Sequence, residues 1–150
     1  MLFVREFNVH IECIELTPVF ASVARTRVRL AGLDHRIHIS EGNVVNKMVG
    51  HPSFDVIVSI DSAIHFDSRR TFFKQAYDAL KKNGRLVLSD QIIRNNHSRE
   101  EIIKFLRAND SEVPYSNLIL FDEYLRDLHD IGFRIDLLLD VSNRSYSLLD

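Results

Sequence analysis

A chain of 150 residues is long enough for one domain with a sizeable core and too short for two ordinary ones. Its residues are 45% hydrophobic and 27% charged, the balance of a globular protein, and 19 Lys and Arg against 21 Asp and Glu leave a formal charge of −2, so nucleic acid and acidic membranes find no basic excess. No apolar run approaches the roughly 20 residues of a membrane span, charges come too early for a signal-peptide core, and the single Cys13 cannot form an intrachain disulfide. These features together read as a cytoplasmic protein without nucleic-acid partners.

Residues 2–7 read as the last turns of an amphipathic helix, and residues 9–15 (VHIECIE) as an alternating strand ending on the carboxylate of Glu15. Thr17 is the expected N-cap of the next helix, with Pro18 at the first position, where a missing N–H costs nothing. Phe20, Ala24, Val28 and Ala31 share one face of that helix, and Gly32 supplies a left-handed stop. A short strand at 36–40 (RIHIS) runs into Glu41, Gly42 and Asn43, and a loop at 46–53 follows.

The chain is organised around residues 54–66, FDVIVSIDSAIHF. Val56, Ile57 and Val58 form a β-branched run too brief for a helix and apolar on both faces, the pattern of a strand buried inside a parallel sheet. Ser59, Asp61, Ser62 and His65 gather at its C-terminal end, where an open α/β sheet binds its ligands. Asp67 or Ser68 then caps a helix carrying Phe73, Ala76, Tyr77 and Leu80, and residues 81–84 close it with a cationic end and an Asn-Gly turn. A strand at 85–89 (RLVLS) leads to Asp90. Ser98 and Glu101 fit a capping box, with Ile102, Phe105 and Leu106 as the core face of the helix behind it. Phe121, Tyr124, Leu125 and Leu128 mark a further helix ending at Gly132. Residues 133–140 (FRIDLLLD) read as a last strand, and 146–149 as a weaker one. Alternating strands and helices predict one α/β domain over 1–150, a doubly wound, mostly parallel sheet with helices on both faces.

Each candidate residue has two readings when taken alone. Glu15 is either an acid for ribose hydroxyls or a carboxylate favoured by the next helix dipole. Asn43 offers the donor and acceptor that an adenine edge needs, or is simply a turn residue. His65 could act as a general base near neutral pH, with Asp61 orienting it or binding a substrate cation, or both could be structural. His35 and His38 are spaced like ligands but lack a third, so no metal site is expected. Neither a G-x-S-x-G elbow nor a reactive setting for Cys13 supports nucleophilic catalysis. The five glycines, at 32, 42, 50, 84 and 132, are too far apart for a phosphate loop or a G-x-G-x-x-G.

In order, VHIECIELTP, GLDHRIHISEGN, FDVIVSIDSAIHF, ALKKNGRLVLSD and LRDLHDIGFRIDLLLDVS resemble successive motifs of the class I S-adenosylmethionine-dependent methyltransferases, closest to the branch acting on small molecules. The resemblance implies a Rossmann-like fold, S-adenosylmethionine as cofactor and a small-molecule methyl acceptor. It places Glu15 on the cofactor ribose and Leu16 beside the adenine. Asn43 and Val44 fall at the adenine ring, Ile60 and Asp61 along the cofactor and substrate side of the cleft, and His65 near the acceptor. It also implies an incomplete sheet: the family's opening strand and glycine-rich loop should precede Val9, and its last antiparallel strand should follow the end. A domain truncated at both ends is therefore expected, with unpaired backbone and an uncovered apolar face. That leaves two functions open, methyl transfer and a non-catalytic binding or interaction module; a nucleotide-dependent oxidoreductase is a third reading. Homo-oligomer formation is left open.

Overall fold

Two strand–helix–strand units carry the fold in a computed structural model that describes residues 2–47, 52–94, 98–108 and 113–142. In the first, β1 (Ile11–Glu15) leads through α2 (Pro18–Leu30) to β2 (Ile37–Glu41), and the strands pair in parallel from Ile11↔Ile37 to Glu15↔Glu41. In the second, β3 (Phe54–Ile60) leads through α4 (Arg69–Ala79) to β4 (Leu80–Ser89), again in parallel up to Ile60↔Ser89. Helical crossovers of this length are what parallel neighbours require. The units form separate two-stranded sheets, so among the described residues the doubly wound sheet is present in two halves with no strand hydrogen-bonded to both.

Each half has its own core. Val4 of α1 (Leu2–Glu6), Ala21 and Val28 of α2, and Ile37 and Ile39 of β2 make the smaller one. The larger gathers Phe72, Phe73 and Ala76 of α4, Ala63, and Tyr124 and Leu128 of α6 (Phe121–Ile131). Phe73 meets Tyr124 edge to face, with centroids 5.3 Å apart. Phe72 and Phe73, both fully buried, each contribute about 1.5–3 kcal/mol through burial alone. The short helix α3 (Val44–Lys47) bridges the halves: Val44 and Val45 pack on the larger core, and the Gln75 side-chain amide donates to the Val45 carbonyl.

Caps explain three of the helix limits. The Ser68 hydroxyl accepts from Thr71 N–H at 3.2 Å and starts α4. Ser98 and Glu101 make both arms of a capping box at the start of α5 (Arg99–Ala108). Gly132 ends α6 with φ +116°, and an added Cβ there would lie 2.8 Å from the Tyr77 hydroxyl.

Several expectations are corrected. β3 is covered on one face only: Ile57 packs on the larger core, whereas Val56, Val58 and Ile60 are 52, 49 and 61% exposed because no described element lies over them. The Thr17 side chain makes no capping bond; the Glu15 carboxylate instead accepts the Thr17 N–H at 2.8 Å. The inward face of α2 is Ala21, Ala24 and Val28, leaving Phe20 exposed. Helix α4 stops at Ala79; pairing jumps from Phe54↔Leu80 to Val56↔Arg85, so residues 81–84 loop out, with Asn83 at φ +65°. No residue of α5 is buried, and Phe105 is 64% exposed. Residues 133–140 form no strand, having no ladder partner among the described residues. Of the expected 46–53 loop, Asn46 and Lys47 belong to α3, and part of the rest, like the candidate at 146–149, lies outside the described residues. Among the described residues no helix is long and apolar enough to cross a membrane.

Candidate functional site

Where strands run parallel, their C-terminal ends fall on one edge and successive loops meet there. Hydrogen bonds tie that edge together from β1 to β4. The Gly42 N–H donates to the Glu15 carbonyl at 2.9 Å, joining the ends of β1 and β2. Asn43 Nδ2 donates to Asp67 Oδ2 at 2.8 Å, joining the end of β2 to the turn before α4. The Ser89 hydroxyl donates to Asp61 Oδ1 at 2.7 Å and the Asp61 N–H to the Ser89 carbonyl at 2.8 Å, joining β3 to β4.

Glu15 stands half-buried at the end of β1, with Oε1 holding the N–H of Thr17 at the start of α2. Leu16, beside it, is exposed. Gly42 adopts φ +143°, a conformation L side chains rarely take, and so delivers Asn43 to the edge. The Asn43 amide is engaged at both ends, its oxygen accepting from Val45 N–H at 2.9 Å and its nitrogen donating to Asp67. Val44 packs inward on the larger core. Ile60 is exposed at the end of β3, and Asp61 follows at φ +48°, a conformation costly for a non-glycine residue and common at functional sites. His65 closes the 3-10 turn Ala63–His65, its ring exposed and without a hydrogen-bond partner among the described residues. Glu15, Leu16, Asn43, Ile60 and Asp61 thus lie at the carboxyl ends of the strands and His65 on the turn that follows β3, while Val44 packs inward.

A buried polar cluster behind this edge was not foreseen. Arg69, the first residue of α4, is 2% exposed and faces Asp90 just past β4. Its Nη2 donates to Asp90 Oδ1 at 3.2 Å and to the Gln91 carbonyl at 3.1 Å, and its Nη1 to the Asn117 carbonyl at 2.8 Å. Nε lies 3.1 Å from Asp90 Oδ2 but is not aligned for a hydrogen bond, so that approach is electrostatic. The Tyr124 hydroxyl donates to Asp90 Oδ2 at 3.1 Å. Burial pushes the Asp90 carboxyl above its ordinary range, against the opposing pull of Arg69. Burial, with Asp90 beside it, likewise raises the Tyr124 phenol strongly. Asn117 completes the cluster: its Nδ2 donates to the Ile64 carbonyl at 2.9 Å and to that of Phe66, clamping the turn that carries His65. The one sequence signal was Asp90 following a strand; an arginine at the positive end of a helix gave no hint of burial.

Among the described residues no cluster of His, Cys, Asp and Glu could hold a metal ion. Cys13 is a free thiol in β1, and burial raises its pKa, which suits a packing role rather than nucleophilic chemistry.

Residues 2–88, more than half of the chain, match the family model described as "Methyltransferase domain". Over 79 residues the chain is 33% identical to erythromycin 3''-O-methyltransferase of Saccharopolyspora erythraea, covering 53% of this chain and 26% of that protein. Its fold superposes on a putative sarcosine dimethylglycine methyltransferase from Galdieria sulphuraria with a TM-score of 0.77 at 21% identity, over 87% of this chain and 48% of that one. A geranyl diphosphate methyltransferase solved in complex with SAM gives 0.82 at 18% identity, over 94% and 55%. The chain thus spans about half the length of these structures, and the matched part about a quarter of the curated relative. The fold, the ordered strand-end motifs and the family match agree: the chain belongs to the methyltransferase domain family, the class I S-adenosylmethionine-dependent enzymes that its sequence resembles.

Proposed function

We propose that this domain serves methyl transfer from S-adenosylmethionine to a small-molecule acceptor, its strand-end edge holding the adenosine half of the cofactor. The observation that carries the reading is the gathering of Glu15, Leu16, Asn43, Ile60 and Asp61 on the carboxyl edge of the strands, in a chain of the methyltransferase domain family. The donor set fits the adenosine. Glu15 keeps Oε2 without a partner among the described residues, and a carboxylate there can accept from ribose hydroxyls. Exposed Leu16 and Ile60 offer apolar surface to a flat ring. The Asn43 amide, already engaged on both sides, shapes the turn, and an adenine contact through Asn43 requires its bond to Asp67 to open.

When bound, S-adenosylmethionine supplies a methyl group on a sulfonium, electrophilic enough for in-line displacement. The protein's own part is orientation of the acceptor, which contributes much of such catalysis. Asp61, fixed by Ser89, can orient a cationic or hydroxyl-bearing acceptor. His65, exposed and clamped through Asn117, can take the proton an acceptor sheds. The free thiol of Cys13 supports a cytoplasmic, reducing location.

The test is a calorimetric titration with S-adenosylhomocysteine. Saturable binding that weakens at least tenfold in Glu15→Ala supports the reading, and undiminished binding in that variant removes Glu15 from the site. A second reading, a non-catalytic interaction module, is favoured by the two unjoined sheets and by exposed Val56, Val58, Ile60 and Val87, because unpaired strand edges are natural pairing surfaces. Detection of methyl transfer by the chain itself excludes it.

A further inference from the structure

Behind the turn that carries His65 lies a cavity of about 250 Å³, lined by Ile64 and by residues that follow the end of β4. Its apolar wall is aliphatic throughout and includes Ile64, Ile92, Ile93, Ile102, Leu106 and Leu118. Ile102 and Leu106 lie one helical turn apart on α5, the helix that buries none of its residues, so the apolar face of α5 turns to this cavity instead of closing onto a core. The half-packed helix is nevertheless held in place: the Arg99 guanidinium donates to the Leu118 carbonyl at 2.8 Å and pairs with Glu123.

Two of the three polar side chains around the cavity, those of Asn117 and Arg94, are already engaged. Asn117 gives its amide to the Ile64 and Phe66 carbonyls and takes the Arg69 N–H at 3.2 Å. Arg94 is paired with Asp140 at 2.9 Å. Gln91 is exposed, its N–H turned to Asp90. A charged group entering here would lose its hydration with nothing buried to replace it, whereas an aliphatic group would complete the packing of α5. Small-molecule pockets usually exceed about 300 Å³, so the space suits part of a molecule. Ile64 and His65 are consecutive residues of one turn, so whatever fills the cavity stands beside the edge where Asp61 and His65 lie.

We propose that this cavity binds an uncharged aliphatic portion of the methyl acceptor, and that α5 closes against it. The proposal rests on the methyl-transfer reading above for the word acceptor, and on the cavity alone for the aliphatic class. The experiment is a methyl-detected NMR titration of the chain with 1-butanol, 1-pentanol and 1-hexanol, in the wild type and in Leu106→Trp and Ile102→Phe, which fill the space. The expected result is saturable shifts at Ile64, Ile92, Ile102, Leu106 and Leu118 and none at Val28, Ile37 or Ile39. Affinity should rise about fourfold per added methylene, from about 0.8 kcal/mol for each. Either filling variant that keeps the wild-type spectrum elsewhere should lose the response. Absence of shifts at those methyls, or shifts undiminished in a folded filling variant, overturns the proposal. Adding S-adenosylhomocysteine to the same samples separates the two claims: a cofactor response without an alcohol response defeats the cavity alone, and an alcohol response without a cofactor response leaves an aliphatic site but defeats its assignment to a methyl acceptor.

Discussion

Arg69 and Asp90 should behave as one unit in any mutational test. Their side chains are 2% and 3% exposed, and Arg69 also donates to the Asn117 and Gln91 carbonyls. Arg69→Met would leave a buried carboxylate held only by the Tyr124 hydroxyl and the Gln91 N–H, and Asp90→Leu would leave a buried guanidinium with two carbonyls and the Tyr124 ring but no counter-charge. Breaking a buried pair from one side costs about 3–5 kcal/mol. In Arg69→Met/Asp90→Leu both charges go together; the Asn117 carbonyl keeps the Ile119 N–H, the carbonyl and N–H of exposed Gln91 turn to water, and what stays unpaired is the Tyr124 hydroxyl, about 1–3 kcal/mol at most. Urea unfolding followed by circular dichroism should therefore find the double variant no less stable than the worse single one. Single losses that simply add, or that stay below about 1 kcal/mol, would refute the reasoning.

Other expectations are as direct. Ile57→Ala, against the larger core, should cost about 2–5 kcal/mol, whereas Val58→Thr on the bare face of β3 should stay within about 0.5 kcal/mol; chemical unfolding of both checks the one-sided strand. Gly132→Ala should destabilise by more than about 1 kcal/mol, since it meets both a φ of +116° and the Tyr77 ring, and thermal unfolding reads it. The raised Asp90 carboxyl favours the folded state while protonated, so its contribution is present below the ordinary carboxylate range and is lost as pH rises through the raised value. The stability of the wild type relative to Asp90→Asn should accordingly fall with rising pH across that window, in unfolding curves taken at successive pH values.

Local chemistry made much of the fold legible. Pro18 opens α2, Ser68 caps α4, the Ser98 and Glu101 box starts α5, and Gly132 ends α6, each by short-range geometry that the sequence carries. The strand-end residues were equally legible, because carboxylates, amides and a histidine directly after apolar runs stand out by position. What the sequence hid depends on partners far along the chain. The β-branched run of β3 says nothing about whether both faces find cover, and only Ile57 shows which one does. FRIDLLLD alternates like a strand but has no ladder partner among the described residues. Arg69 looked like a surface charge; its burial follows from Asp90 and Asn117, 21 and 48 residues away.

The account turns on whether the strand-end edge takes the adenosine of the cofactor. A backbone-amide NMR titration of the chain with S-adenosylhomocysteine tests this most directly, because it reports position as well as affinity. The predicted result is saturable shifts concentrated at Glu15, Leu16, Gly42, Asn43, Val44, Ile60 and Asp61, with Ile37 and Leu128 unmoved. A folded chain whose spectrum does not respond, or responds only away from those strand ends, would contradict it.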